Sequence, residues 1–167
     1  MPKPKYQLDD FLATINQHDK DYVLTVHDML LQDGYKLKIQ STKTYGLHIA
    51  YAQPKIKTVK GIIAYFLQQN GKLMIRINAD NYASYPQVFS QLPESITTQM
   101  DKADDCIKMK DPQKCWQGCV GYDFHIRKKH YQKCLINCFL LAVDETDFPF
   151  LVELIKHESK ERSLAAS

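Results

Sequence analysis

The chain has 167 residues, 44% of them hydrophobic and 25% charged, with a net charge of +3. That length supports one domain with its own hydrophobic core, and the composition excludes a disordered or collagen-like chain. The apolar run Cys138–Val143 falls far short of the ~20 residues a membrane-spanning helix needs. The opening segment Met1–Asp10 lacks the apolar stretch of an export signal, so the expectation is a cytoplasmic protein with no membrane partner.

Residues 7–16 and 19–32 read as helices. In the second, Tyr22, Val23, Val26, Met29 and Leu30 fall on one stripe, with Asp19 as N-cap and Gly34 as the stop. The period then changes to two. Tyr35, Leu37 and Ile39 alternate with Lys36, Lys38 and Gln40; Tyr45, Leu47, Ile49 and Tyr51 alternate with smaller or polar residues. Ile62–Leu67 is apolar on both faces and reads as a central strand. Asn70-Gly71 supplies a tight hairpin turn into Leu73, Ile75 and Ile77.

Helical spacing returns over 82–91 and 94–104, separated by Pro93. Residues 106–121 are irregular. Tyr122, Phe124 and Ile126 form a strand, Lys128-Lys129-His130 a polar turn, and 132–143 a second, long strand. Thr146 or Asp147 caps a last helix, with Pro149 in its first turn and a frayed tail over 159–167. Helices at both ends, hairpins between and no βαβ alternation give an α+β fold: one domain, a mostly antiparallel sheet flanked by helices, with a cysteine-rich insertion over 104–140.

All five cysteines lie in that insertion, spaced C-x8-C-x3-C-x14-C-x3-C from Cys106 through Cys115, Cys119 and Cys134 to Cys138. The loop 106–121 has too little apolar surface to order itself, which four thiolates on one zinc ion would remedy. If 132–143 is a strand, Cys134 and Cys138 share a face but stand ~13 Å apart, too far for one ion. Cys138, between Ile136 and Leu140, reads as a small buried apolar residue. The expected metal ligands are therefore Cys106, Cys115, Cys119 and Cys134, with His125 and His130 in reserve. Two other readings stay open. One is disulfides, for example between Cys106 and Cys115. The other is a reactive thiol or an iron–sulfur centre, with Lys114 beside Cys115 and Lys133 beside Cys134 as activating cations.

The segment from Cys106 through Asp111-Pro112-Gln113-Lys114-Cys115 and Cys119-Val120-Gly121-Tyr122-Asp123-Phe124 to Tyr131-Gln132-Lys133-Cys134 and Cys138-Phe139 resembles the signature of a family of uncharacterised bacterial proteins. The hairpin Asn70-Gly71-Lys72-Leu73 is similar to one in the same family. The resemblance covers residues 45–140. It implies the α+β fold and a bacterial cytoplasmic origin, and carries no activity. The α+β part is also loosely similar to the YjbR-like and YdhG-like proteins.

Between Asp33 and Asp80 there is no acidic residue, while Lys36, Lys38, Lys43, Lys55, Lys57, Lys60, Lys72 and Arg76 fall there. At the chain's average content ~5 acids are expected in such a stretch. Lys36, Lys38, Lys72 and Arg76, with Arg127, Lys128 and Lys129 of the later hairpin, are the candidate residues for binding an anionic ligand or nucleic acid. Tyr45, Tyr51, Tyr65 and Tyr131 are the candidate stacking residues. The plainer role for such lysines is to keep a sheet soluble and block edge pairing. No phosphate-cradling glycine loop, metalloprotease helix or nucleophile elbow is present, and the six histidines are scattered. Trp116 suits a plug between the loop and the sheet. The leading expectation is a ligand- or partner-binding protein with a structural zinc. The alternatives are an anion-binding sheet face and a thiol enzyme using Cys115 or Cys134.

Overall fold

The computed structural model describes residues 5–57 and 59–166; Met1–Pro4 of the opening segment and Ser167 of the tail lie outside the described residues. The α+β class holds, with a mostly antiparallel sheet. The chain divides into two compact units, Met1–Ile77 with Ala142–Asp144, and Asn78–Leu141 with Glu145–Ser167.

The first unit opens with α1 (Leu8–Leu12) and α2 (Gln17–Gln32). The cap of α2 is Asn16, not Asp19: the Asn16 side chain accepts the Asp19 N–H at 2.8 Å, and Asp19 belongs to the first turn. That bond satisfies one of the amides a helix start leaves open. Gly34, at φ +85°, ends the helix in the left-handed region that only glycine adopts freely. Four antiparallel strands follow: β1 (Lys36–Thr42), β2 (Gly46–Ala52), β3 (Ile62–Gln69) and β4 (Lys72–Ile77). Asn70 and Gly71 both have positive φ, as the two-residue hairpin turn requires. Register puts Leu37, Ile39, Ile49, Tyr51, Phe66, Leu73, Ile75 and Ile77 on one face. All of these but the half-buried Leu37 and Ile39 form the core with Phe11 of α1 and Tyr22, Val23, Val26 and Leu30 of α2. The Tyr51 hydroxyl, fully buried, meets His27 Nδ1 at 3.2 Å, and burial pushes its pKa up.

The second unit contains α3 (Pro86–Ser90), α4 (Glu94–Lys102), the short α5 (Ile107–Lys110), the hairpin β5 (Tyr122–Ile126) and β6 (Lys129–Lys133), and α6 (Phe148–Ala165). Its core is aromatic: Tyr85, Phe89, Tyr122, Phe124, Tyr131 and Phe139 are all buried, and their rings pack edge-on or stacked within about 6 Å. The expected long strand over 132–143 is two pieces. β6 stops at Lys133, residues 134–139 turn, and β7 (Leu140–Ala142) follows, extending the sheet in the order β1-β2-β3-β4-β7. Cys138 N–H donates to Cys134 O at 3.0 Å, so the two cysteines lie on one turn and the extended-strand spacing does not apply.

The expected fraying of the tail is also corrected, for α6 stays helical to Ala165 and buries Glu158, Ser159 and Arg162. Glu158 accepts Arg162 Nε (2.7 Å), the Tyr85 hydroxyl (2.6 Å), Asn81 N–H (3.0 Å) and Asn81 Nδ2 (2.9 Å). Arg162 Nη2 reaches Asn78 O and Asp80, each at 2.9 Å. Breaking such a pair from one side leaves an uncompensated buried charge. Arg162→Met is therefore expected to cost about 3–5 kcal/mol, read as a fall in the urea midpoint. Lys160→Met, at an exposed position two residues away, is expected to change it little.

Candidate functional site

The cysteine segment is built around one glycine. Gly121 has φ +67°, and a Cβ placed there would lie 2.4 Å from Cys106 Sγ and 3.1 Å from Met109 Cε. The Gly121 N–H and the Cys115 thiol both lie near the Cys119 sulfur. Three of the four expected ligands, Cys106, Cys115 and Cys119, are thus gathered at this turn. Cys134 stands with Cys138 on the turn after β6. Among the described residues no group of three or more His, Cys, Asp or Glu side chains is arranged as a ready metal cage. All five cysteines are free thiols.

Burial raises the pKa of Cys119, and the neighbouring Cys115 and Cys106 add to this, while the Gly121 N–H opposes it. Burial likewise pushes up Cys138, which is wholly inaccessible, as expected for an inert apolar cysteine. The two lysines expected to activate thiols are engaged elsewhere. Lys114 pairs with Asp111 at 3.3 Å, and Lys133 donates to Asp101 O, Ala103 O and Asp105.

The loop between Cys106 and Gly121 has little core of its own. Ile107 is 55% exposed, Trp116 49% and Val120 73%. Trp116, expected as a plug, instead lays its ring against Gly118, where a Cβ would come within 2.4 Å of Cζ3. Lys108 Nζ ties the loop by donating to Gln117 O at 2.6 Å. The reserve ligands stand on the hairpin: His125 and His130 are cross-strand partners whose rings stack at 4.3 Å, with His130 Nε2 on Asp123 at 2.6 Å.

The basic residues of the first unit come together as their alternation implies. Register places Lys38, Ala50, Tyr65 and Arg76 in one row across β1–β4, with Lys36 and Lys72 on the same face, opposite Ile49, Phe66 and Ile75; that face also carries the buried Ala50, Ile63 and Leu67, so its cations stand on the outer strands around an apolar centre. A row across four strands spans about 14 Å. Arg76 lies over the Tyr65 ring at 3.9 Å, and its Nε is buried without an acceptor. Lys36, Lys38 and Lys72 are exposed, and among the described residues none of these four cations pairs with a carboxylate.

The later basic group differs. Arg127 and Lys128 form the exposed β5–β6 turn, but Lys129 is held by Asp101 at 2.5 Å, which raises the lysine pKa and lowers that of Asp101. Two of the four stacking candidates are corrected: Tyr51 and Tyr131 are core residues, 0% and 3% exposed, because each points to the packed side of its strand. Tyr45 and Tyr65 retain exposed surface. Sequence reasoning missed the roles of Asp101, Asp105 and Lys133. Their charges meet only through the bridge that pairs Asp105 with Lys133, and no local spacing signals that bridge.

No family model, no curated protein and no solved structure matches this chain. Gly121→Ala is expected to destabilise by at least about 1–3 kcal/mol, because it adds a left-handed alanine and a clash with Cys106. Gly71→Ala has the positive φ without any contact within 4 Å, so it is expected to lose less in the same denaturation series.

Proposed function

We propose that this protein is a binding module whose first unit engages the phosphate backbone of a single-stranded nucleic acid through the face of β1–β4. The observation that carries the reading is the row of cations on that face without carboxylate partners. A cation already paired, like Lys129, sets its carboxylate partner against any incoming phosphate. Among the described residues Lys36, Lys38, Lys72 and Arg76 carry no such carboxylate, so phosphate oxygens meet no competing acid there. The absence of acids across 34–79 extends the positive potential over the turns carrying Lys43, Lys55 and Lys57. Tyr65 with Arg76 above it, and the half-exposed Tyr45, give bases planar partners.

Under this reading, affinity for a labelled oligonucleotide falls linearly in a log–log plot against salt, with a slope of about −0.7 for each phosphate neutralised on a single strand. Lys38→Glu with Arg76→Glu is expected to weaken binding by at least about tenfold and to flatten that slope. Binding that is indifferent to salt and to the double reversal overturns the reading.

A second reading concerns the cysteine loop, and the gathering of Cys106, Cys115 and Cys119 at Gly121 favours it. Here zinc is a structural ion, drawing three thiolates together in a loop whose Ile107, Trp116 and Val120 find little cover. The thiols would hold the ion and the Gly121 N–H would stabilise the Cys119 thiolate. Protein purified under reducing conditions without a metal-affinity tag is then expected to carry close to one zinc per chain. Cys115→Ser is expected to lose that zinc and Cys138→Ser to keep it. Zinc-free folded protein in which the accessible Cys115 reacts freely with a thiol reagent overturns this reading.

A further inference from the structure

The second unit holds a concave depression of about 270 Å³ beside the cysteine turn, between α4, α5 and β6. Its lining includes Asp101, Asp105, Lys110, Lys129 and Lys133, together with the buried Cys106 and Tyr131. Three ammonium groups and two carboxylates leave one positive charge in excess.

The donors are not equally committed. An ammonium has three N–H groups. Lys133 uses all three, on Asp101 O (3.0 Å), Ala103 O (2.8 Å) and Asp105 (3.1 Å). Lys110 uses one, on Asp105 at 3.0 Å, and Lys129 uses one, on Asp101 at 2.5 Å. Each therefore keeps two donors for another acceptor. The aspartates do more than neutralise. They anchor two long, otherwise mobile side chains beside the cavity, so part of the ordering entropy that binding would cost is already spent.

We infer that this depression is a binding site for a small molecule bearing one oxyanion, a carboxylate or a phosphate, held by Lys110 and Lys129. The volume falls just below the ~300–1,000 Å³ usual for ligand pockets, which suits a compact molecule. Lys133 is a positioning residue: it fixes Asp105, which fixes Lys110. Tyr131 and Cys106 give the inner surface its less polar part. The site lies wholly within the second unit and uses none of the cations assigned to the sheet face.

Inorganic pyrophosphate and succinate serve as probes, titrated calorimetrically at constant ionic strength and followed by amide chemical shifts. One saturable site per chain is expected, with shift changes concentrated at residues 101–110 and 129–133. A preference for pyrophosphate assigns the phosphate class, and a preference for succinate the carboxylate class. Lys110→Met with Lys129→Met is expected to weaken binding by at least about tenfold. Lys38→Glu with Arg76→Glu is expected to leave it unchanged, so failure of this site and failure of the sheet-face reading are separable. If the double methionine variant does not fold, the single variant Lys110→Met and the wild-type shift map decide. Absence of saturable binding by either probe overturns the inference, as does binding that survives loss of both lysines or maps outside these residues.

Discussion

A carboxylate sealed from water must find its solvation inside the protein, and in the second unit that requirement organises the end of the chain. Glu158 is fully inaccessible, and its two oxygens are met by a guanidinium, a phenol, a side-chain amide and a backbone N–H. The partners come from the segment 78–85 and from Arg162, one turn further along the same helix. Four donors on one carboxylate fix the phase of α6 against that segment, because a rotation of the helix would strand a charge. The aromatic core is set by the same segment. Tyr85 enters through its hydroxyl, and Tyr122 accepts the Ala79 N–H at 3.1 Å, placing β5 beside it. The helix therefore stays ordered where composition alone suggests a loose tail.

Charge is used in opposite ways in the two units. In the second, lysines and aspartates are interleaved and mutually engaged: Lys129 with Asp101, Lys133 and Lys110 with Asp105. In the first, the strands hold cations with no acids among them in the sequence, and among the described residues Lys36, Lys38, Lys72 and Arg76 pair with no carboxylate. A net charge of +3 averages over these two arrangements and reports neither. What a charged side chain can do for a ligand depends less on its sign than on how many of its hydrogen bonds are already spent.

The outer strands β1 and β4 were legible because alternation at period two has one physical cause, a strand whose two faces differ in burial, and β3 because it is apolar on both. Lys36, Lys38, Lys72 and Arg76 fell on the outer face as that pattern requires. The Asn70-Gly71 turn was legible because positive φ at two successive positions restricts the residue types so strongly. The break after Lys133 was not. Residues 134–139 are largely apolar and look extended, but tertiary bonds turn them: Cys134 N–H to Asp104 O, and Asn137 Nδ2 to Asp104 at 2.6 Å. Those partners are some thirty positions away. The same distance problem hid the fate of Cys134. Once the chain turns there, its neighbour is Cys138. Lys129 looked available because its own segment is basic; its partner Asp101 lies on a different helix.

β1 lies at the edge of the five-stranded sheet. Its outer backbone groups offer a template on which another strand could form hydrogen bonds, and Lys36 and Lys38 stand beside that template. The charges that would draw in a polyanion thus also act as a guard against self-assembly, since a second copy of the strand brings like charges with it. A bound polyanion would cancel that repulsion at the moment of binding. Under the polyanion reading, colloidal behaviour and ligand occupancy would be tied to the same few ammonium groups: charge would keep the free protein apart, and the ligand would cover the edge of the saturated one.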